Sequence, residues 1–160
     1  MSDKEEVKSW DTLYEKYPEL FSNRLKSPRE SCMSFGVECN LGWYDILSSV
    51  CWRIFQHEKN IAERVTIRNK HGKENDKSDL EYEPVKFDQI KEKFGGIRIY
   101  YSGGDDYVRG VVSLADEISY KICEVCGNSG KPNKGGWITT LCDNCRNKPY
   151  DQTTNNNAGV

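Results

Sequence analysis

The stretch "KICEVCGNSGKPNKGGWITTLCDNC", residues 121–145, carries two Cys-x-x-Cys pairs, Cys123/Cys126 and Cys142/Cys145, separated by fifteen residues. Two cysteines with two residues between them can aim both sulfurs at one ion from a tight turn, and a second such turn completes a tetrahedron. The spacing between the pairs lies within the range of a four-thiolate zinc site. Gly127 follows the first pair, where a small residue lets the backbone turn back. "GNSGKPNKGG" is turn-forming and "WITTL" is a short β run. Together these predict a zinc ribbon over 123–146, against the competing reading of redox-active or merely buried thiols.

Four thiolates leave no coordination position for water or substrate, so the expected Zn2+ is structural and no catalytic residue is assigned. His57 and His71 lie elsewhere and are not needed as ligands. A divalent ion in four thiolates carries a net charge of about -2. Lys121, Lys131, Lys134, Arg146 and Lys148, set against Glu124 and Asp143, read as its counter-charges. Of the remaining cysteines, Cys51 sits on a helical stripe as packing. Cys32 and Cys39 in "CMSFGVEC" could meet each other or a second metal, but with no third and fourth ligand beside them the favoured reading is buried thiols.

Upstream of the ribbon, "DDYVRGVVSLADEISYKI" has Val108, Val111, Val112, Ala115, Ile118 and Ile122 on one helical face, with Asp105 as N-cap. Trp43, Leu47, Val50, Cys51, Ile54 and Ile61 recur at helical spacing and predict a helix over 43–60. "WDTLYEKYPELF" suits a short helix ended by Pro18, and "SFGVEC" a short strand. The expected fold class is α+β: a small antiparallel sheet with a β-hairpin, two main helices and the C-terminal ribbon. The expected organisation is a body over 1–122 with an exposed charged loop at 68–84, the ribbon, and a flexible tail over 147–160.

The hairpin is read from "IKEKFGGIRIYY". A Gly95-Gly96 loop would set Phe94 opposite Ile97, Lys93 opposite Arg98 and Lys91 opposite Tyr100. Alternation then puts Phe94, Ile97, Ile99, Ile90 and Tyr101 on a core face, and Lys91, Lys93, Arg98 and Tyr100 on the other. Like charges across a strand pair are unfavourable, which points to an anionic ligand: phosphate oxygens on the cations and a ring against Tyr100. A solvated face is the plainer alternative. "SGGDD" is a poor phosphate cradle, because two carboxylates at a helix start repel phosphate.

Charged residues make up 30% of the chain and hydrophobic residues 36%, with a net charge of -2. No global basic field exists, so any nucleic-acid contact must come from a local patch. No apolar run is long enough for a bilayer, and "MSDKEEVKSW" lacks the hydrophobic region of a secretory signal. A cytoplasmic, reducing environment is expected, with no membrane partner. No H-E-x-x-H, Walker loop or dinucleotide fingerprint is present.

"GWYDIL" before a helix, "KEKFGGIRIYYSGG", "CEVCGNSG" and "GWITTLCDNC", in this order over residues 32–146, resemble a family of small phage and prophage proteins with a terminal zinc module. The resemblance implies a viral protein acting in the host cytoplasm, with Cys123, Cys126, Cys142 and Cys145 as ligands; it implies no particular activity. Two functions follow as expectations. One is non-enzymatic capture of a small anionic, nucleotide-like ligand, such as a host-defence signal, on the hairpin face. The other is an adaptor docking a host protein or nucleic acid through the ribbon or through Trp43, Tyr44, Trp52 and Phe55. The last two aromatics also suit a homodimer interface.

Overall fold

A computed structural model describes residues 8–148. The tail expected from residue 147 therefore lies, from 149 onward, outside the described residues. A short helix, α1 (Trp10–Lys16), precedes the long α2 (Tyr44–Lys70), whose buried positions include Leu47, Val50, Cys51, Ile54 and Ile61. The stripe read from the sequence is thus the buried face, but the helix runs ten residues beyond the expected end. Past Ile61 no side chain of α2 is buried. The extension rests instead on good helix formers and on ion pairs to the chain that follows. Arg64 donates to Asp79 at 3.0 and 2.6 Å, and Arg68 to Asp76 at 2.7 Å. The charged loop accordingly starts later than residue 68 and contains a one-turn helix, α3 (Lys77–Leu80), which the sequence reading did not foresee.

Strands β1 (Val37–Glu38), β2 (Lys86–Lys93) and β3 (Gly96–Ser102) form one sheet in the order β1-β2-β3. β2 and β3 are antiparallel, but β1 is parallel to β2, so the sheet is mixed and not antiparallel throughout. The reason is topological. A parallel neighbour needs a long crossover, and α2, lying between β1 and β2 in the chain, supplies it.

The hairpin turn is Phe94-Gly95, both left-handed at φ 54° and 77°, one residue earlier than expected. This is the two-residue geometry that matches strand twist. Lys93 pairs with Gly96, Glu92 with Ile97 and Lys91 with Arg98. Each partner moves by two positions, so parity is kept, and with it the face on which each strand residue lies. Phe94 leaves the core face for the turn, where it is 65% exposed. A bulge at Asp88 lets Phe87 and Ile90, three residues apart, both be fully buried.

α4 (Asp106–Ser119) closes the body against α2 and β3. The core joins Trp43, Leu47 and Ile54 to Phe87, Ile90, Ile97 and Val108. Asp105 caps α4 as expected, accepting from the amides of Tyr107 and Val108 at 3.0 and 3.2 Å. It also bonds His57 Nε2 on α2 at 2.7 Å. Partial burial works against its ionisation, yet the His57 and amide hydrogen bonds hold the carboxyl below its ordinary value. A lowered folded pKa gives stability that is complete above the unfolded value of about 3.9 and is lost as pH falls through the folded one. Asp105→Ala is therefore expected to cost about 1 kcal/mol near neutrality. Urea unfolding of the two proteins should converge as pH falls below that range.

Candidate metal centre

Two tight bends bring the cysteines together. In the first, the Cys123 amide donates to Asn128 O at 2.7 Å and the Gly127 amide to Cys123 O at 2.9 Å, folding 123–128 into a knuckle. The second opens the one-turn helix α5 (Asp143–Arg146), whose N-cap Cys142 accepts the Cys145 amide on its sulfur at 3.4 Å. Between them, β4 (Lys131–Pro132) and β5 (Thr140–Leu141) pair antiparallel, which returns the second bend to the first.

The four Sγ atoms of Cys123, Cys126, Cys142 and Cys145 all lie within 4.8 Å of one another, and Cys126 and Cys142 are 3.6 Å apart. Zn–S bonds of about 2.3 Å in a tetrahedron put sulfurs about 3.8 Å apart, so this donor set fits a metal ion. Asn128 Nδ2 donates to Cys126 Sγ at 3.4 Å, which fixes the direction of that sulfur. The Cys145 amide pulls the Cys142 thiol down to about 7. Burial, then hydrogen bonding among the sulfurs, pushes Cys145 up to about 12. Four adjacent sulfurs cannot all ionise without a cation among them. Cys32, Cys39 and Cys51 are free thiols outside this group; Cys32 is exposed, against the expectation of a buried thiol, while burial raises Cys39 and Cys51 well above the ordinary thiol range.

The ribbon is seated on the body. Gly42 donates to Glu124 O at 2.7 Å, and Trp43 Nε1 to Ile122 O at 2.9 Å. The buried Glu124 carboxylate accepts from the Asn40 amide and Nδ2, both at 3.1 Å. Burial raises its pKa, with repulsion from Glu92 adding to the effect. Thr140 Oγ1 donates to Gly95 O of the hairpin turn at 2.6 Å. A Cβ on Gly42 would lie 2.3 Å from the carbonyl oxygens of Cys123 and Glu124, so only glycine permits this approach.

No protein-family model matches the chain, and no curated protein or solved structure matches it either.

Lys91, Lys93, Arg98 and Tyr100 do share one face of the hairpin, but they are not equivalent. Arg98 turns over the open edge of β3 and donates to the Asp116 carboxylate, to Tyr120 Oη at 2.7 Å and to Ile97 O at 3.2 Å. Its guanidinium is committed to α4 and the segment just after it. Lys91 pairs laterally with Glu38 of β1 and sets its ammonium 5.7 Å from the Tyr100 ring centre. Lys93 and Tyr100 remain exposed. Arg98→Ala is expected to cost about 1–2 kcal/mol in chemical unfolding, a partly exposed charge-assisted bond being worth less than a buried one. Lys93→Ala should stay within about 0.5 kcal/mol. Sequence reasoning missed Asp116, Tyr120 and Asn40, and it read Glu124 as a charge set against the ribbon lysines where the structure has a buried acceptor for Asn40. The one available signal was the spacing of Asp116 and Tyr120, four residues apart, which puts both on one side of the chain at the end of α4.

Proposed function

We propose that this chain is a non-enzymatic binding protein in which a structural zinc ion, held by Cys123, Cys126, Cys142 and Cys145, keeps the C-terminal segment folded and seated on the α+β body. The observation that carries the proposal is the clustering of four sulfurs within 4.8 Å of one another. They would complete the ion's coordination and leave it no open position for chemistry. The ion's contribution is to cross-link two bends whose own core is small. Its residues fix the scaffold; contact with a ligand falls elsewhere.

That contact is assigned to the hairpin face, narrowed to Lys91, Lys93 and Tyr100 now that Arg98 has internal partners. A phosphate on the lysines with a ring against Tyr100 suits a small nucleotide-like anion. In the setting implied by the resemblance to phage and prophage proteins, such a ligand is a host-defence signal captured in the host cytoplasm. A second reading, an adaptor or homodimer, loses Trp43 and Tyr44, which are buried in the core, but is favoured by the stacked pair Trp52–Phe55 on α2, with centroids 6.2 Å apart and exposures of 49% and 39%. Among the described residues, no helix is long and apolar enough to cross a membrane.

Elemental analysis of protein purified without chelator is expected to find one zinc per chain; absence of a stoichiometric metal overturns the structural role. Nucleotides are expected to raise the melting temperature of the wild type and not of the Lys91→Ala/Lys93→Ala double variant. A melting temperature unmoved by every nucleotide would leave the adaptor reading ahead.

A further inference from the structure

The charges of this chain are segregated. Residues 86–102 and 121–148 hold nine Lys and Arg against four Asp and Glu, leaving fourteen against twenty-one in the rest. These two positive segments are the hairpin and the ribbon, and they touch at their tips. Thr140 Oγ1 donates to Gly95 O at 2.6 Å, and a Cβ on Gly95 would sit 3.0 Å from Ile138 Cγ2. With Arg98 set aside as the partner of Asp116, these two segments of an acidic protein still carry a positive excess, even allowing for the negative charge of a thiolate-bound metal.

At the tips of these two segments, two aromatic rings face solvent on rigid supports. Trp137 is 81% exposed, in a loop whose shape is fixed by one side chain. Asn133 Nδ2 donates to Gly135 O and Trp137 O, both at 3.0 Å, and its Oδ1 accepts the Thr139 amide at 2.7 Å. Phe94, 65% exposed, occupies the left-handed first position of the hairpin turn, with Lys93 Nζ 5.4 Å from its ring centre. An exposed ring is ordinary by itself; two on adjacent hydrogen-bonded tips, with Lys93 against one ring and Lys134 in the same loop as the other, are not. Lys93 and Lys134 make no ion pair among the described residues.

We infer that the paired tips form a stacking platform for single-stranded nucleic acid, with bases on Trp137 and Phe94 and phosphates on Lys91, Lys93 and Lys134. The inference rests on the reading of the hairpin face as the anion-contacting surface and extends it from a single nucleotide to a strand. A single strand fits better than a duplex because its base faces are free to stack on aromatic rings, whereas a duplex hides them. It fits better than a neutral or acidic protein surface because rings and unpaired lysines alternate across two loops, the pattern of a groove that follows a charged backbone.

Fluorescence anisotropy of the zinc-loaded full chain, at low salt, tests this with labelled single-stranded DNA and RNA of about twelve nucleotides and with the matching duplex. The single strands are expected to bind more tightly than the duplex. Trp137→Ala, at a surface position that leaves the fold intact, is expected to weaken binding about 5- to 100-fold. Lys93→Ala/Lys134→Ala should reduce the slope of log affinity against log salt by about 1.4. Trp52→Ala, on α2, should change nothing. Equal binding of single strand and duplex, or a Trp137→Ala variant that binds like wild type, overturns the inference. So does Trp137-dependent self-association in place of oligonucleotide binding, which would assign the tips to a protein. A wild type that binds mononucleotides but no oligonucleotide more tightly sinks the platform alone; one that binds neither sinks the hairpin reading with it.

Discussion

Cys123→Ser is expected to abolish stoichiometric zinc binding and to release residues 121–148 from the body. Cys123 is fully buried, and its amide and carbonyl both hold the first knuckle. A serine oxygen is a poor, neutral donor in place of a thiolate, and three sulfurs leave the site open to water. In small zinc modules the metal supplies on the order of 10 kcal/mol of folding free energy, more than this two-strand ribbon can replace with its own core. The body should survive with a lower melting temperature, because Trp43 and Asn40 lose the groups they bond. Metal analysis, thermal unfolding and limited proteolysis each read the effect: no zinc, an earlier transition, and cleavage within 127–141. Cys32→Ser, at an exposed thiol outside the cluster, is the control and should keep both metal and melting temperature. A Cys123→Ser protein with full zinc content and an unchanged transition would remove the structural role of the metal.

The parts legible in the sequence are those whose determinants are local. The cysteine spacing, the α2 stripe and the Asp105 cap each lie within a few residues of what they specify. The hairpin was legible as a hairpin and, through parity, in its faces. Its turn was misplaced because both Phe94-Gly95 and Gly95-Gly96 offer two-residue loops to sequence reasoning. Gly96 has another purpose: a Cβ there would meet the Tyr120 ring at 2.5 Å and Arg98 Nη1 at 2.8 Å. The closer of these contacts comes from Tyr120, more than twenty positions away, and leaves no local pattern. The pairing of Arg98 with Asp116, the parallel β1 and the seat of the ribbon on Gly42 are likewise long-range, and no periodicity announces them. The end of α2 was misjudged for a different reason. Amphipathic periodicity reports burial, and the last turns of that helix are exposed and stabilised by charge pairs.

Trp43→Ala should produce the largest loss of any single core truncation while leaving the metal in place. Trp43 is fully buried at the start of α2, among the side chains that join helix to sheet. Removing a buried indole costs about 3–5 kcal/mol through lost contacts and the cavity left behind. The indole also donates to Ile122 O at 2.9 Å, one residue before the first cysteine of the cluster. The truncation leaves that carbonyl without its partner, a further penalty of about 1–3 kcal/mol where water cannot reach it. Trp43→Phe separates the two terms, since it keeps most of the ring volume and deletes the donor. It should recover more than half of the stability lost in the alanine variant. Zinc content should stay at one per chain in both, because no ligand is touched. Hydrogen exchange should nevertheless report faster opening at the amides of Glu124, which donates to Thr140 O, and of Gly42, which donates to Glu124 O. Retained metal with loosened docking separates the two jobs of this region: the ion closes the ribbon on itself, and Trp43 with Gly42 fastens it to the body. If Trp43→Ala lost zinc in proportion to stability, ribbon and body would instead be a single cooperative unit.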